Sequence, residues 1–166
     1  GIGLIKNKYI GRTFISPGQG HRVDQVKIKL SPVESDVKGK HVVLIDDSIV
    51  RGTTSARIVT LLRSAGAKQI HMRISAPPFL YPCYCGTDID SQDHLIACHH
   101  SVEEIAKIIG VDTLGYLPLE NLRDLCGSDG YCCACFSGRY PTAIPEDTRK
   151  DQFEDKLSRR KTGVKA

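Results

Sequence analysis

The sequence has 166 residues, 40% hydrophobic and 25% charged, with a formal net charge of +4. This balance suits one globular domain large enough to bury its own core, with room for an appendage. No run approaches the roughly 20 apolar residues of a membrane span, no signal peptide opens the chain, and the mild positive charge suits phosphate-bearing ligands without requiring nucleic acid. The expectation is a cytoplasmic protein with no membrane partner.

The first residue is Gly1 and the one methionine is Met72. An apolar first segment without an initiator reads as a processed or truncated chain. Of seven cysteines, none precedes Cys83, and Cys126, Cys132, Cys133 and Cys135 lie close together. An odd, clustered set without a secretory signal points to metal binding rather than a disulfide framework.

In chain order, residues 3–9 read as a short strand. Residues 12–29 are polar and broken by Pro17, Gly18 and Gly20, with Arg12, His21, Arg22, Lys27 and Lys29 among them. That is a candidate mobile loop, and loops this long in a compact domain are often functional. Residues 41–45 (His-Val-Val-Leu-Ile) form a nearly continuous apolar run, the pattern of a strand buried on both faces of a parallel sheet. A helix is predicted over about 53–65, with Ile58, Leu61, Leu62 and Ala65 at three- and four-residue spacing and Gly66 as its stop. Residues 69–76 alternate at Ile70, Met72 and Ile74 as a strand does. Strand, helix and strand together make a βαβ unit with a right-handed crossover.

Ser101 followed by Glu104 is a capping box opening an amphipathic helix over 101–109, with Val102, Ile105, Ile108 and Ile109 on one face. A short strand at 114–117, ended by Pro118, and a helix at 120–125 precede the cysteine-rich loop. His99-His100 beside Cys98 reads as a helix end rather than a metal site. From Pro145 onward the chain is almost wholly charged, which predicts a solvated tail.

The most informative segment is 43–55, Val-Leu-Ile-Asp-Asp-Ser-Ile-Val-Arg-Gly-Thr-Thr-Ser. A buried strand delivers Asp46 and Asp47 to its carboxyl end, where open α/β sheets bind ligands. Gly52 then opens a helix whose first amides and dipole make an anion site, with hydroxyls from Ser48, Thr53, Thr54 and Ser55. The two carboxylates would repel a phosphate. They suit a ribose diol, or a Mg²⁺ that bridges to phosphate. A lone Asp-Asp reads as a turn cap, but here strand, acids, glycine and hydroxyls fall in the order a ligand loop requires.

This run resembles the signature of type I phosphoribosyltransferases, which bind phosphoribosyl pyrophosphate (PRPP). The resemblance implies that Asp46 and Asp47 hold the ribose 2′- and 3′-hydroxyls and approach the metal. Ser48, Ile49, Val50, Arg51, Gly52, Thr53, Thr54 and Ser55 would then wrap the 5′-phosphate. Residues 6–15, Pro17-Gly18-Gln19 and Arg22 narrow it further, resembling the flexible loop of the glutamine phosphoribosylpyrophosphate amidotransferase family. The specific Ile49-Val50-Arg51 filling, Ala76-Pro77-Pro78, Pro82-Cys83, Cys132-Cys133-Ala134-Cys135-Phe136 and Gly138-Arg139-Tyr140-Pro141 carry the likeness to about residue 143.

The resemblance implies that glutamine-derived ammonia displaces pyrophosphate from PRPP to give 5-phosphoribosylamine, the first committed step of purine synthesis. Lys6, Arg12 and Arg22 become candidates to stabilise the leaving pyrophosphate, and Tyr9, Arg12 and Ile15 to line the path of ammonia. Purine nucleotides are the implied feedback inhibitors, and a homo-oligomer the implied assembly.

Cys132 and Cys135 can grip one metal or cluster from a short loop, and Cys83 is a plausible third ligand. In the subclass this resembles, a [4Fe-4S] cluster takes its fourth cysteine from upstream of the PRPP loop, which places that ligand before Gly1. Cys126 is an alternative fourth ligand, and zinc then fits as well. The roles of Cys85, Cys98, Cys126 and Cys133 stay open.

The expected fold class is α/β, a type I phosphoribosyltransferase with a mostly parallel sheet, flanking helices and its first strands missing at the N-terminus. It divides into a phosphoribosyltransferase part at 1–118, a helix and cysteine-rich segment at 119–143 and a tail at 144–166. No glutaminase nucleophile is visible. Two other classes compete with the enzyme reading. A non-catalytic PRPP sensor needs neither the cysteines nor the basic loop, and an iron–sulfur electron carrier needs more than one ligand set.

Overall fold

The computed structural model describes residues 1–6, 30–87, 89, 91–127 and 130–144, and elements are numbered over these. The expected loop at 12–29, with Arg12, Ile15 and Arg22, lies outside the described residues. So do Tyr9 and the tail from Pro145.

Strands β1 (Leu4–Lys6) and β2 (Leu30–Pro32) pair antiparallel, with Lys6 opposite Leu30. A short helix α1 (Glu34–Val37) follows and buries Val37. The main sheet is parallel, in the order β3 (His41–Asp46), β4 (Gln69–Ile74), β5 (Thr113–Tyr116). Helix α2 (Thr53–Ser64) connects β3 to β4. A single turn α3 (Ile96–His99) and helix α4 (Val102–Ile109) precede β5. Helices α5 (Leu119–Cys126) and α6 (Ala134–Ser137) close the described chain.

The expected elements form for the expected reasons. Ile70, Met72 and Ile74 alternate toward one face of β4 and meet Ile58, Val59 and Leu62 of α2 in a single core. Ile70 and Met72 are completely buried, each worth about 1.5–3 kcal/mol relative to exposure. The capping box is present, with the Glu104 amide donating to Ser101 Oγ at 3.3 Å and the Ser101 amide to Glu104 Oε2 at 2.8 Å. Gly110, at φ +87°, takes the left-handed turn that ends α4. His99 and His100 sit at the end and cap of α3, as a helix end requires.

Two expectations are corrected. Among the described residues, β3 is covered on one face only. Val42 and Leu44 pack on the core, while Val43 is 63% and Ile45 73% exposed, because α2 and α4 both join the same side of the sheet. The apolar stripe of α4 also narrows. Ile105 and Ile109 are buried, but Val102 and Ile108 face outward, since the helix offers only one side to the core.

One carboxylate ties the bottom of the βαβ unit together. Asp112 Oδ2 accepts from Arg63 Nη2 and from the Ile70 amide, each at 2.6 Å, while Arg63 also reaches the carbonyls of Gly110 and Lys68. The end of α2 and the starts of β4 and β5 are thereby joined. The Ile70 amide first, and then Arg63, hold the Asp112 carboxyl below its ordinary range. A depressed folded pKa adds stability above the unfolded value, and this is lost as pH falls through the folded one. Asp112→Asn is expected to lower the thermal midpoint at neutral pH and to flatten the loss of stability below about pH 4, measured by melts across pH.

Candidate ligand site at the carboxyl end of the parallel sheet

The chain leaves β3 at Asp46 and enters α2 at Thr53, so residues 46–55 span the carboxyl edge of the sheet. Asp46 is half-buried, in register with Ile74 of β4 and, through it, Tyr116 of β5. The Asp47 amide donates to Asp46 Oδ1 at 3.0 Å, and Ser48 Oγ donates to Asp47 Oδ1 at 2.8 Å. Burial raises the Asp46 pKa above the ordinary carboxylate value. The Asp47 amide opposes that shift and the Asp47 charge adds to it. A group that donates hydrogen bonds or carries positive charge would relieve both effects.

The turn into the helix depends on Gly52. Its φ is +76°, and the Cβ of any other residue would come within 2.9 Å of Ile96 Cδ1. With glycine at the N-cap, no side chain caps α2, and its first turn holds no acid. The first amides and the positive end of the helix dipole are left for an incoming anion. Thr53 and Thr54 are exposed beside them, whereas Ser55 is buried at 3% exposure and Ile49 at 2% anchors the loop in the core. Val50 and Arg51 are half-buried.

Sequence reasoning missed the groups that hold this loop. Ser75 donates to the Asp46 carbonyl through its amide (3.0 Å) and its hydroxyl (3.3 Å). The Ile96 amide donates to the Val50 carbonyl at 2.9 Å. The β3–β4 register could have flagged Ser75, one residue past the partner of Asp46. Ile96 lies far along the chain and carries no local signal. Lys6 is exposed at the end of β1, whose partner β2 packs on α2.

The cysteines form a second layer. The Leu80 and Tyr81 amides both donate to the Cys135 carbonyl at 3.0 Å, and the Tyr140 hydroxyl donates to the Pro82 carbonyl at 2.7 Å. These bonds bring Cys83 to the Cys132–Cys135 loop. Burial acts to raise the Cys83 thiol, but the amides of Thr87, Cys85 and Gly86 and the Thr87 hydroxyl outweigh it and bring it down to about 7. Burial first, then the sulfur charges of Cys83, Cys132 and Cys133, push Cys135 up to about 11. Cys98 instead donates to the Leu80 carbonyl at 3.2 Å. Cys126 lines a cavity of about 800 Å³ together with Cys132, Cys133, Arg123 and Arg139. Among the described residues, no three His, Cys, Asp or Glu side chains converge closely enough to hold a single metal ion.

A carboxyl whose folded pKa is raised favours the folded state at low pH and loses that advantage as pH rises through the folded value. Asp46→Asn is therefore expected to raise the thermal midpoint of this chain at neutral pH, with little change below about pH 4, in paired melts.

Comparisons with known proteins agree with this geometry. A family model described as "Phosphoribosyl transferase domain" matches residues 4–76. The amidophosphoribosyltransferase of Archaeoglobus fulgidus is 53% identical over 147 residues, covering 86% of this chain and 32% of that protein. The Bacillus subtilis amidophosphoribosyltransferase is 54% identical over 153 residues, covering 89% and 32%. The solved structure of glutamine phosphoribosylpyrophosphate amidotransferase from B. subtilis complexed with ADP and GMP superposes with a TM-score of 0.74, covering 88% of this chain and 33% of that one. The chain thus spans about a third of the length of these relatives. By sequence and by fold, the chain is similar over most of its length to one stretch of the amidophosphoribosyltransferases.

Proposed function

We propose that this chain is the PRPP-binding portion of an amidophosphoribosyltransferase, the enzyme that makes 5-phosphoribosylamine and pyrophosphate from PRPP and glutamine-derived ammonia. The carrying observation is the juxtaposition of Asp46 and Asp47 with the uncapped, acid-free start of α2 at one sheet edge. Hydroxyl-binding carboxylates stand beside an anion-binding helix end, which matches a sugar bearing phosphate.

In this reading Asp46 and Asp47 accept hydrogen bonds from the ribose 2′- and 3′-hydroxyls. The segment from Ser48 to Ser55 wraps the 5′-phosphate with amides and hydroxyls. Ammonia attacks C1 as the bond to pyrophosphate breaks, building positive charge on the ribose ring and negative charge on the leaving group. Lys6, Arg12 and Arg22 neutralise the leaving group. Tyr9, Arg12 and Ile15 are the residues assigned to the approach of ammonia.

The donor set at Asp46 and Asp47 suits Mg²⁺, because a hard cation relieves a half-buried carboxylate beside a second negative charge. When bound, Mg²⁺ supplies charge neutralisation for the departing pyrophosphate. The cysteine layer suits a [4Fe-4S] cluster on Cys83, Cys132 and Cys135. Mutual influence among these sulfurs and amides aimed at Cys83 Sγ are features of a thiolate cradle. A fourth ligand is still needed, from outside these residues or from Cys126. The same reading divides the chain into 1–118, 119–143 and 144–166. It gives the parent enzyme a cytoplasmic location, a homo-oligomeric assembly and feedback by purine nucleotides, in keeping with the ADP and GMP bound to the B. subtilis relative.

In the full-length protein, Asp46→Asn combined with Asp47→Asn is expected to cut ammonia-dependent phosphoribosylamine synthesis by roughly 100-fold or more. Unchanged synthesis would overturn the proposal.

A further inference from the structure

Loops that bind phosphate through backbone amides work only when those amides are held in place, because misplacement by about 1 Å can cost two orders of magnitude. Val50, Arg51 and Gly52 are the turn that aims the first amides of α2, and a single residue distant in sequence touches that turn twice. The Ile96 amide donates to the Val50 carbonyl at 2.9 Å. Ile96 Cδ1 lies 2.9 Å from the position a Cβ on Gly52 would occupy, with Ile109 Cγ1 next at 3.7 Å.

Ile96 is itself fixed from both sides. It is buried, at 9% exposure, in the main core with Ile105 and Ile109. Leu95, beside it, is fully buried in a second core with Phe79 and Ile89, against which Val50, Cys83 and Cys135 pack. The start of α3 therefore stands where the two cores meet, directly against the turn.

We infer that Ile96 is a positioning residue for substrate: its amide and its δ-methyl together fix the turn from Val50 to Gly52, and so set the affinity for the ribose 5-phosphate group. It touches no ligand and acts only through the turn. The inference rests on the PRPP reading of the loop and deepens it. Within that reading it makes two demands: glycine at position 52 to admit the δ-methyl, and a side chain at 96 long enough to reach the turn.

The test uses the full-length protein, with ammonia as nitrogen donor so that the glutaminase step is bypassed. Ile96→Val removes only Cδ1, the atom against Gly52, and is mild enough to fold. Ile105→Val removes one methyl from the same core away from the loop. Ile96→Val is expected to raise KM for PRPP about threefold with kcat unchanged, and Ile96→Ala to raise it about tenfold or more, while Ile105→Val leaves KM unchanged. An unchanged KM in Ile96→Val, or an equal rise in Ile105→Val, would overturn the inference alone, since the effect would then be absent or one of general stability. A wild-type protein that forms no phosphoribosylamine from PRPP and ammonia would overturn the PRPP reading and this inference with it.

Discussion

The left-handed turn at Gly52 is the constraint on which the site depends. It lets the chain reverse from strand into helix within a few residues, and it leaves the helix start without a side-chain cap. A serine or aspartate at that position would satisfy an orphan amide and stabilise an ordinary helix. Here that local stability is forgone and the amides remain available for a ligand. The same position allows close approach by Ile96, so one missing side chain serves both the electrostatics of the site and its support. Asp46 follows the same logic, since burial raises its carboxyl pKa above the ordinary carboxylate value. Such local costs are common where binding needs a prearranged site.

The cysteine layer and the ligand loop are not separate structures. Val50 packs on the small core of Phe79, Ile89 and Leu95, and the half-buried Cys83 and Cys135 pack on that core too. Phe79 and Phe136 add a ring contact with centroids 4.9 Å apart. The chain between Leu80 and Cys83 is tied to the 135–140 region by backbone and tyrosine hydrogen bonds. Disorder in the cysteine layer would therefore be felt beneath the loop. On the proposed reading, a cluster held by these cysteines would steady the ligand loop from beneath.

Much of this was legible in the sequence because local patterns carried it. The alternation at Ile70, Met72 and Ile74, the spacing of Ile58, Leu61 and Leu62, and the reciprocal cap of Ser101 and Glu104 are short-range signals. The order of acids, glycine and hydroxyls at 46–54 was legible for the same reason. What could not be read depends on contacts between distant residues. The props Ser75 and Ile96 sit where the fold brings separate segments together, and their residue types announce nothing. The apolar run of β3 has no polar alternation and so predicts burial on both faces, yet Val43 and Ile45 are exposed. Hydrophobicity records which surfaces can be covered, not which described element covers them. His99 and His100 beside Cys98 form the helix end that their position predicts, and the Cys98 thiol, whose role the sequence leaves open, donates to the Leu80 carbonyl.

The central claim is that residues 46–55 are the place where PRPP binds. Amide hydrogen exchange on the full-length protein, with and without PRPP and Mg²⁺, tests it most directly. The account predicts slowed exchange in the segment from Ser48 to Ser55, at the uncapped start of α2, and little change in α5. Protection confined to other segments, with the loop exchanging as fast as before, would contradict it.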